Sequence, residues 1–182
     1  MTEKESKVNI NLSGNEIRLG STINFFELHP HSDEHWKIKR LIEHKYEVVP
    51  FNEAFIVRFG SDLPKDFYYE LPKATRLEIE LQQSTTFVVD IPKTEEGNDW
   101  RFSGDGISLS DVNNFDYQLQ TQIKNQGRTL IISINNVRET ISDKDHLDFR
   151  FIAIRLNQKR GGALNQIYYS QDPRIGVRRP TH

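Results

Sequence analysis

Hydrophobic and polar positions alternate through most of this chain. Phe115-Asp116-Tyr117-Gln118-Leu119-Gln120-Thr121-Gln122-Ile123 does so without a break. A period of two sends alternate side chains to opposite faces, so such a strand has a core side and a wet side. Thr129 to Ile134, Asp148 to Leu156 and Ile167 to Ser170 predict further strands, with Lys159-Arg160-Gly161-Gly162 as the turn before the last. Toward the N-terminus, Val8 to Leu12, Ile17 to Leu19, Thr22 to Leu28, Tyr46 to Val49, Ala54 to Phe59, Phe67 to Leu71 and Thr85 to Ile91 read the same way. So does Thr75 to Leu81, with Leu77, Ile79 and Leu81 inward and Arg76, Glu78 and Glu80 outward. Roughly ten strands in one series, joined by Gly, Pro, Asn and Asp turns, predict an all-β fold: an immunoglobulin-like antiparallel β-sandwich.

One stretch supports two readings. Residues 32–45 fit a short helical insert, capped by Ser32 and with Asp33 and Glu34 at the positive end of the helix dipole. Trp36, Ile38, Arg40 and Ile42 also sit at strand spacing, which favours an irregular loop running into a strand. The expected organisation is a polar tail over residues 1–7, one sandwich over 8–176 with a sub-boundary in the polar segment 92–99, and a basic tail over 177–182.

Composition narrows the function classes. The 182 residues carry a net charge of -2, which gives no strong overall field for nucleic acid or an anionic membrane. No apolar run approaches the ~20 residues needed to span a bilayer. The N-terminal residues are charged and lack the apolar core of a secretory signal. Cysteine is absent, which excludes disulfides, thiolate metal sites and a cysteine nucleophile, and fits a cytoplasmic protein.

The second half of the chain carries a resemblance. Trp100-Arg101-Phe102 leads into Ser103-Gly104-Asp105-Gly106-Ile107; the strands Phe115–Ile123, Thr129–Ile134 and Phe149–Leu156 follow. The chain then closes on Tyr168-Tyr169-Ser170-Gln171-Asp172-Pro173-Arg174-Ile175. This order, and above all the strand running into Asp-Pro and an aliphatic residue, resembles the bacterial DP-EP family of small β-sandwich proteins. The resemblance implies the immunoglobulin-like fold and no assigned activity. Fold alone does not supply a function.

The densest set of candidate ligands is His29-Pro30-His31-Ser32-Asp33-Glu34-His35. His29 and His31, two apart on an extended backbone, would point the same way. With His35 and a carboxylate from Asp33 or Glu34 they would suit a divalent transition metal such as zinc, copper or nickel. The competing reading is a polar loop with solvated histidines. The Asp- and Asn-rich stretch from Asn98 to Asp116 lacks a calcium-loop pattern and fits turns. Gly106-Ile107-Ser108-Leu109-Ser110 lacks the second glycine of a nucleophile elbow, and no Walker or dinucleotide motif is present. Tyr68 and Tyr168, each in a tyrosine pair, and the cations Arg174, Arg178 and Arg179 are candidate binding residues. An exposed Tyr beside Arg can stack on a sugar or on a partner's side chain.

These observations point to a non-enzymatic binding or assembly protein that offers loops and edge strands to a protein partner or to itself, with no cofactor, no nucleic acid and no membrane. A metal-dependent protein built on His29, His31 and His35 is the alternative, and a carbohydrate-binding module is the third reading.

Overall fold

The computed structural model describes residues 8–12, 15–19, 22–58, 65–93, 99–110, 117–136, 146–156 and 166–178. Two strands, β1 (Val8–Leu12) and β2 (Asn15–Leu19), pair as an antiparallel hairpin. Eleven more form a β-sandwich: β3 (Thr22–His29), β4 (Lys37–Ile42), β5 (Lys45–Val49), β6 (Phe55–Arg58), β7 (Ser84–Asp90), β8 (Asp99–Leu109), β9 (Tyr117–Lys124), β10 (Thr129–Asn136), β11 (His146–Leu156), β12 (Gln166–Tyr169) and β13 (Arg174–Arg178).

One sheet has six strands in the order β5-β4-β3-β7-β10-β9. In the other, β11 is flanked by β8 on one side and by β12 and then β13 on the other, and β6 lies beyond β13. Their inner faces meet over a phenylalanine-rich core. Phe55 of β6 lies at its centre, with ring centroids 4.6 Å from Phe26, 5.2 Å from Phe87, 5.5 Å from Phe149 and 5.7 Å from Phe151. Alternation holds along β7, where Thr85, Phe87 and Val89 are buried and the residues between them half-buried. Removing these aromatic faces from water is the main term holding the sheets together.

The all-β sandwich follows the sequence pattern, with three departures. First, β3–β7 and β6–β13 are parallel pairs, so the sheets are mixed. Both pairs join strands far apart in the chain, and only long connections can bring strands together in parallel. Second, residues 32–45 hold no helical insert: a loop leads into β4, and the turn Glu43-His44 leads into β5. The ring of His31 accepts the N–H groups of Asp33 and Glu34 at 3.0 and 2.8 Å, which holds the loop in a non-helical turn.

Third, two segments expected as strands are helices, α1 (Lys65–Glu70) and α2 (Lys73–Gln82). Within α2 the buried positions Ile79 and Glu80 follow half-buried Arg76 at intervals of three and four, which is helical spacing. Five of the seven residues from Thr75 to Leu81 are strong helix formers: Arg76, Leu77, Glu78, Glu80 and Leu81. Pro72 separates the helices, because the residue before a proline is pushed out of helical geometry.

Strands from both sides of residues 92–99 interleave, with β7 paired to β10 and β6 to β13. Val177 and Arg178, expected in a basic tail, belong to β13. Residues 1–7 and 179–182 lie outside the described residues. Among those described, no helix is long and apolar enough to cross a membrane.

Candidate functional site

The family-like segment Ser170-Gln171-Asp172-Pro173 joins β12 to β13. Between the pairs Ile152–Tyr169 and Asp148–Arg174, β11 has three residues (149–151) and the facing chain has four (170–173). The extra residue makes a β-bulge. Ser170 stabilises it: its hydroxyl accepts the Phe151 N–H at 2.9 Å and donates to the Gln171 carbonyl at 2.7 Å. Pro173 needs no N–H partner there, and its carbonyl accepts the Phe149 N–H at 3.2 Å. Asp172 pairs with the guanidinium of Arg150 through both carboxylate oxygens, and this hydrogen bonding holds its carboxyl below the usual carboxylate range.

Gln171 reaches across to the other sheet. Its side-chain oxygen accepts the Trp36 N–H at 3.0 Å, and its nitrogen donates to the Trp36 carbonyl at 2.8 Å. The bulge thereby clamps the histidine loop between β3 and β4. Trp36 is buried, its indole N–H donates to the His31 carbonyl at 2.8 Å, and its ring lies 6.0 Å from Trp100, which in turn lies 4.9 Å from Tyr168. Above this stack is a shallow depression of about 350 Å³, lined by the loop from His31 to Trp36 with Tyr168, Tyr169 and Gln171. Tyr169 leaves 56% of its surface exposed.

The candidate residues fall in different places. His31, His35 and Tyr168 meet at the depression. His29 stays on β3, where its Nε2 is 3.4 Å from Glu27. Burial and the positive charge of Lys39 hold its imidazole below the usual 6.5. His31 already uses Nδ1 as an acceptor, which makes that ring a structural part of the loop. Among the described residues, no group of three or more His, Asp or Glu side chains is placed to hold a metal ion. Tyr68, expected at the surface, is fully buried on α1 and donates to Glu80 at 2.6 Å. Its burial follows from the helix, which turns it toward Ile79 and away from water. Arg174 pairs with Asp148 at 3.0 Å and lines a separate depression with His146. The side chain of Arg178 and all of Arg179 lie outside the described residues.

A model of the DP-EP family matches residues 4–179, nearly the whole chain. The chain belongs to the DP-EP family. In this DP-EP protein the match extends beyond the second half, where the resemblance is legible, to the strands and helices of the first ninety residues. No curated protein and no solved structure matches the DP-EP chain.

Sequence reasoning passes over two features of this DP-EP protein. Gln171 carries no signal beyond its position before Asp-Pro. The other is β5, at the open end of the six-stranded sheet. Its Val48 is 67% exposed and its Tyr46 37%. They alternate with Lys45 and Glu47, the pattern that ordinarily marks a core side, so nothing in the sequence signals that this apolar side faces outward.

Proposed function

We propose that this DP-EP protein is a non-enzymatic binding or assembly module, presenting edge strands and loops to a protein partner or to a second copy of itself. The observation that carries this reading is β5, which bears exposed Tyr46 and Val48 at one end of the six-stranded sheet, with β9 at the other. Edges of this kind gain a partner strand readily, because their outward N–H and C=O groups lack partners in the sheet. We place the protein in the cytoplasm, on its cysteine-free composition. Native mass spectrometry of the untagged protein, paired with a pull-down from its own cells, tests the reading. A strict monomer that captures no partner would refute it.

A second reading, carbohydrate binding, draws on the depression where Tyr168 and Tyr169 adjoin the polar loop. Titration with mono- and oligosaccharides, followed by tryptophan fluorescence from Trp36 and Trp100, separates it from the first. The metal reading of His29, His31 and His35 ranks below both, since the structure ties down His31 and sets His29 apart. Stoichiometric zinc or copper lost on His31→Ala and His35→Ala would raise it again.

A further inference from the structure

The β4–β5 hairpin fixes which backbone groups of β5 are free. Its turn has two residues, Glu43 and His44, both at positive φ (46° and 70°), as a type I′ turn requires. A two-residue turn closes on a hydrogen-bonded pair, here Ile42–Lys45. Antiparallel pairs alternate between bonded and non-bonded, so Arg40–Glu47 and Ile38–Val49 are bonded while Leu41–Tyr46 and Lys39–Val48 are not. Tyr46 and Val48 therefore direct their N–H and C=O groups away from β4. Among the described residues, no strand pairs with that side of β5.

The side chains narrow the identity of the added strand. Lys45 and Glu47 lie on one face of β5, with Tyr46 and Val48 on the other. Suppose a second β5 runs antiparallel about a two-fold axis at Tyr46. The two Tyr46 residues then form a bonded pair, matching their outward backbone groups. Each Lys45 faces the other copy's Glu47 across a non-bonded pair, where side chains come closest. Centring the axis on Glu47 instead would set two carboxylates against each other, and centring it on Val48 would place Pro50, which has no N–H, in a bonded position opposite Tyr46.

The outer face agrees. Tyr46 lies across from Leu41, the next residue in line is Phe25, and Phe25 lies across from Val88 and Val88 from Ile131. With the axis at Tyr46 this apolar row runs unbroken through both copies.

We propose that the protein forms a two-fold dimer by antiparallel pairing of β5 with β5 of a second copy, in the register that sets Tyr46 opposite its counterpart. This rests on the assembly reading above and names its partner and contact.

The test is the dimer dissociation constant of the full, untagged chain, measured by sedimentation velocity over a concentration series. Wild type, Lys45→Glu, Glu47→Lys and the double exchange are compared. Each single variant turns two attractive pairs into two repulsive ones and is expected to weaken the dimer by about tenfold or more. The double exchange restores both pairs and is expected to return to within about threefold of wild type, on the same pair energies. It still carries Glu47→Lys opposite Arg40, so damage inside one subunit would persist in it and is distinguished from the effect across the contact.

A dimer indifferent to the single exchanges, or not rescued by the double one, overturns the β5 register and leaves the assembly reading standing. A monomer at every concentration overturns the dimer, and the pull-down then decides whether the broader reading falls with it.

Discussion

Gln171→Ala removes the clamp between the bulge and the histidine loop. Two hydrogen bonds to Trp36 are lost, of 3.0 and 2.8 Å, from a residue that is only 4% exposed. A typical intramolecular hydrogen bond is worth about 0.5–1.5 kcal/mol net, and a buried group left without a partner costs about 1–3 kcal/mol. Gln171 is half-buried, so water enters part of the vacated space and satisfies one of the two groups. The expected loss is therefore about 2–3 kcal/mol, or about 4–12 °C in Tm for a domain of this size. Urea denaturation followed by tryptophan fluorescence measures it, since Trp36 and Trp100 report on the site itself. Gln171→Glu sharpens the test. At neutral pH its carboxylate still accepts the Trp36 N–H but sets an acceptor against the Trp36 carbonyl. Once protonated it can donate again, so the deficit relative to wild type should shrink as the pH falls. A Gln171→Ala variant within about 0.5 kcal/mol of wild type would refute the clamp, since even one net hydrogen bond exceeds that.

Three other expectations follow from particular residues. Glu43→Asn with His44→Gly should stabilise the protein by about 1 kcal/mol, because both positions hold the left-handed conformation that costs most L-residues more than this; an unchanged or lower urea midpoint would contradict the turn assignment. Phe55→Ala should cost about 3–5 kcal/mol, since it empties the centre of four aromatic contacts; a loss below about 1 kcal/mol would place the core elsewhere. The folded pKa of His29 is depressed below 6.5 by burial and by Lys39 and Lys37, against the opposing pull of Glu27. The unfolded chain therefore binds the proton more readily, and stability present above pH 6.5 falls as the pH drops below it. His29→Gln should reduce that fall when urea midpoints at about pH 7.5 and about pH 5.5 are compared, and an unchanged difference would remove His29 from the account.

The sequence by itself determined the sandwich. A strand such as β11 buries Leu147, Phe149, Phe151 and Ala153 in alternation, and that period is written into the chain whatever its partner. The same property misled at Thr75 to Leu81, where alternating charged and aliphatic residues also supply one helical face, with Ile79 and Glu80 buried once Glu80 finds Tyr68. The family-like Asp-Pro ending was legible as a turn. That it is a bulge whose Gln171 holds Trp36, 135 residues away, was not, because a hydrogen bond between side chain and distant backbone leaves no periodic trace.

Tertiary structure alone decided that His31 and Tyr168 share a depression while His29 and Tyr68 do not. It likewise decided that β5 stands at the end of its sheet. Strand order is set by which faces can bury one another, a property of the whole fold, whereas a local pattern records only that a face exists.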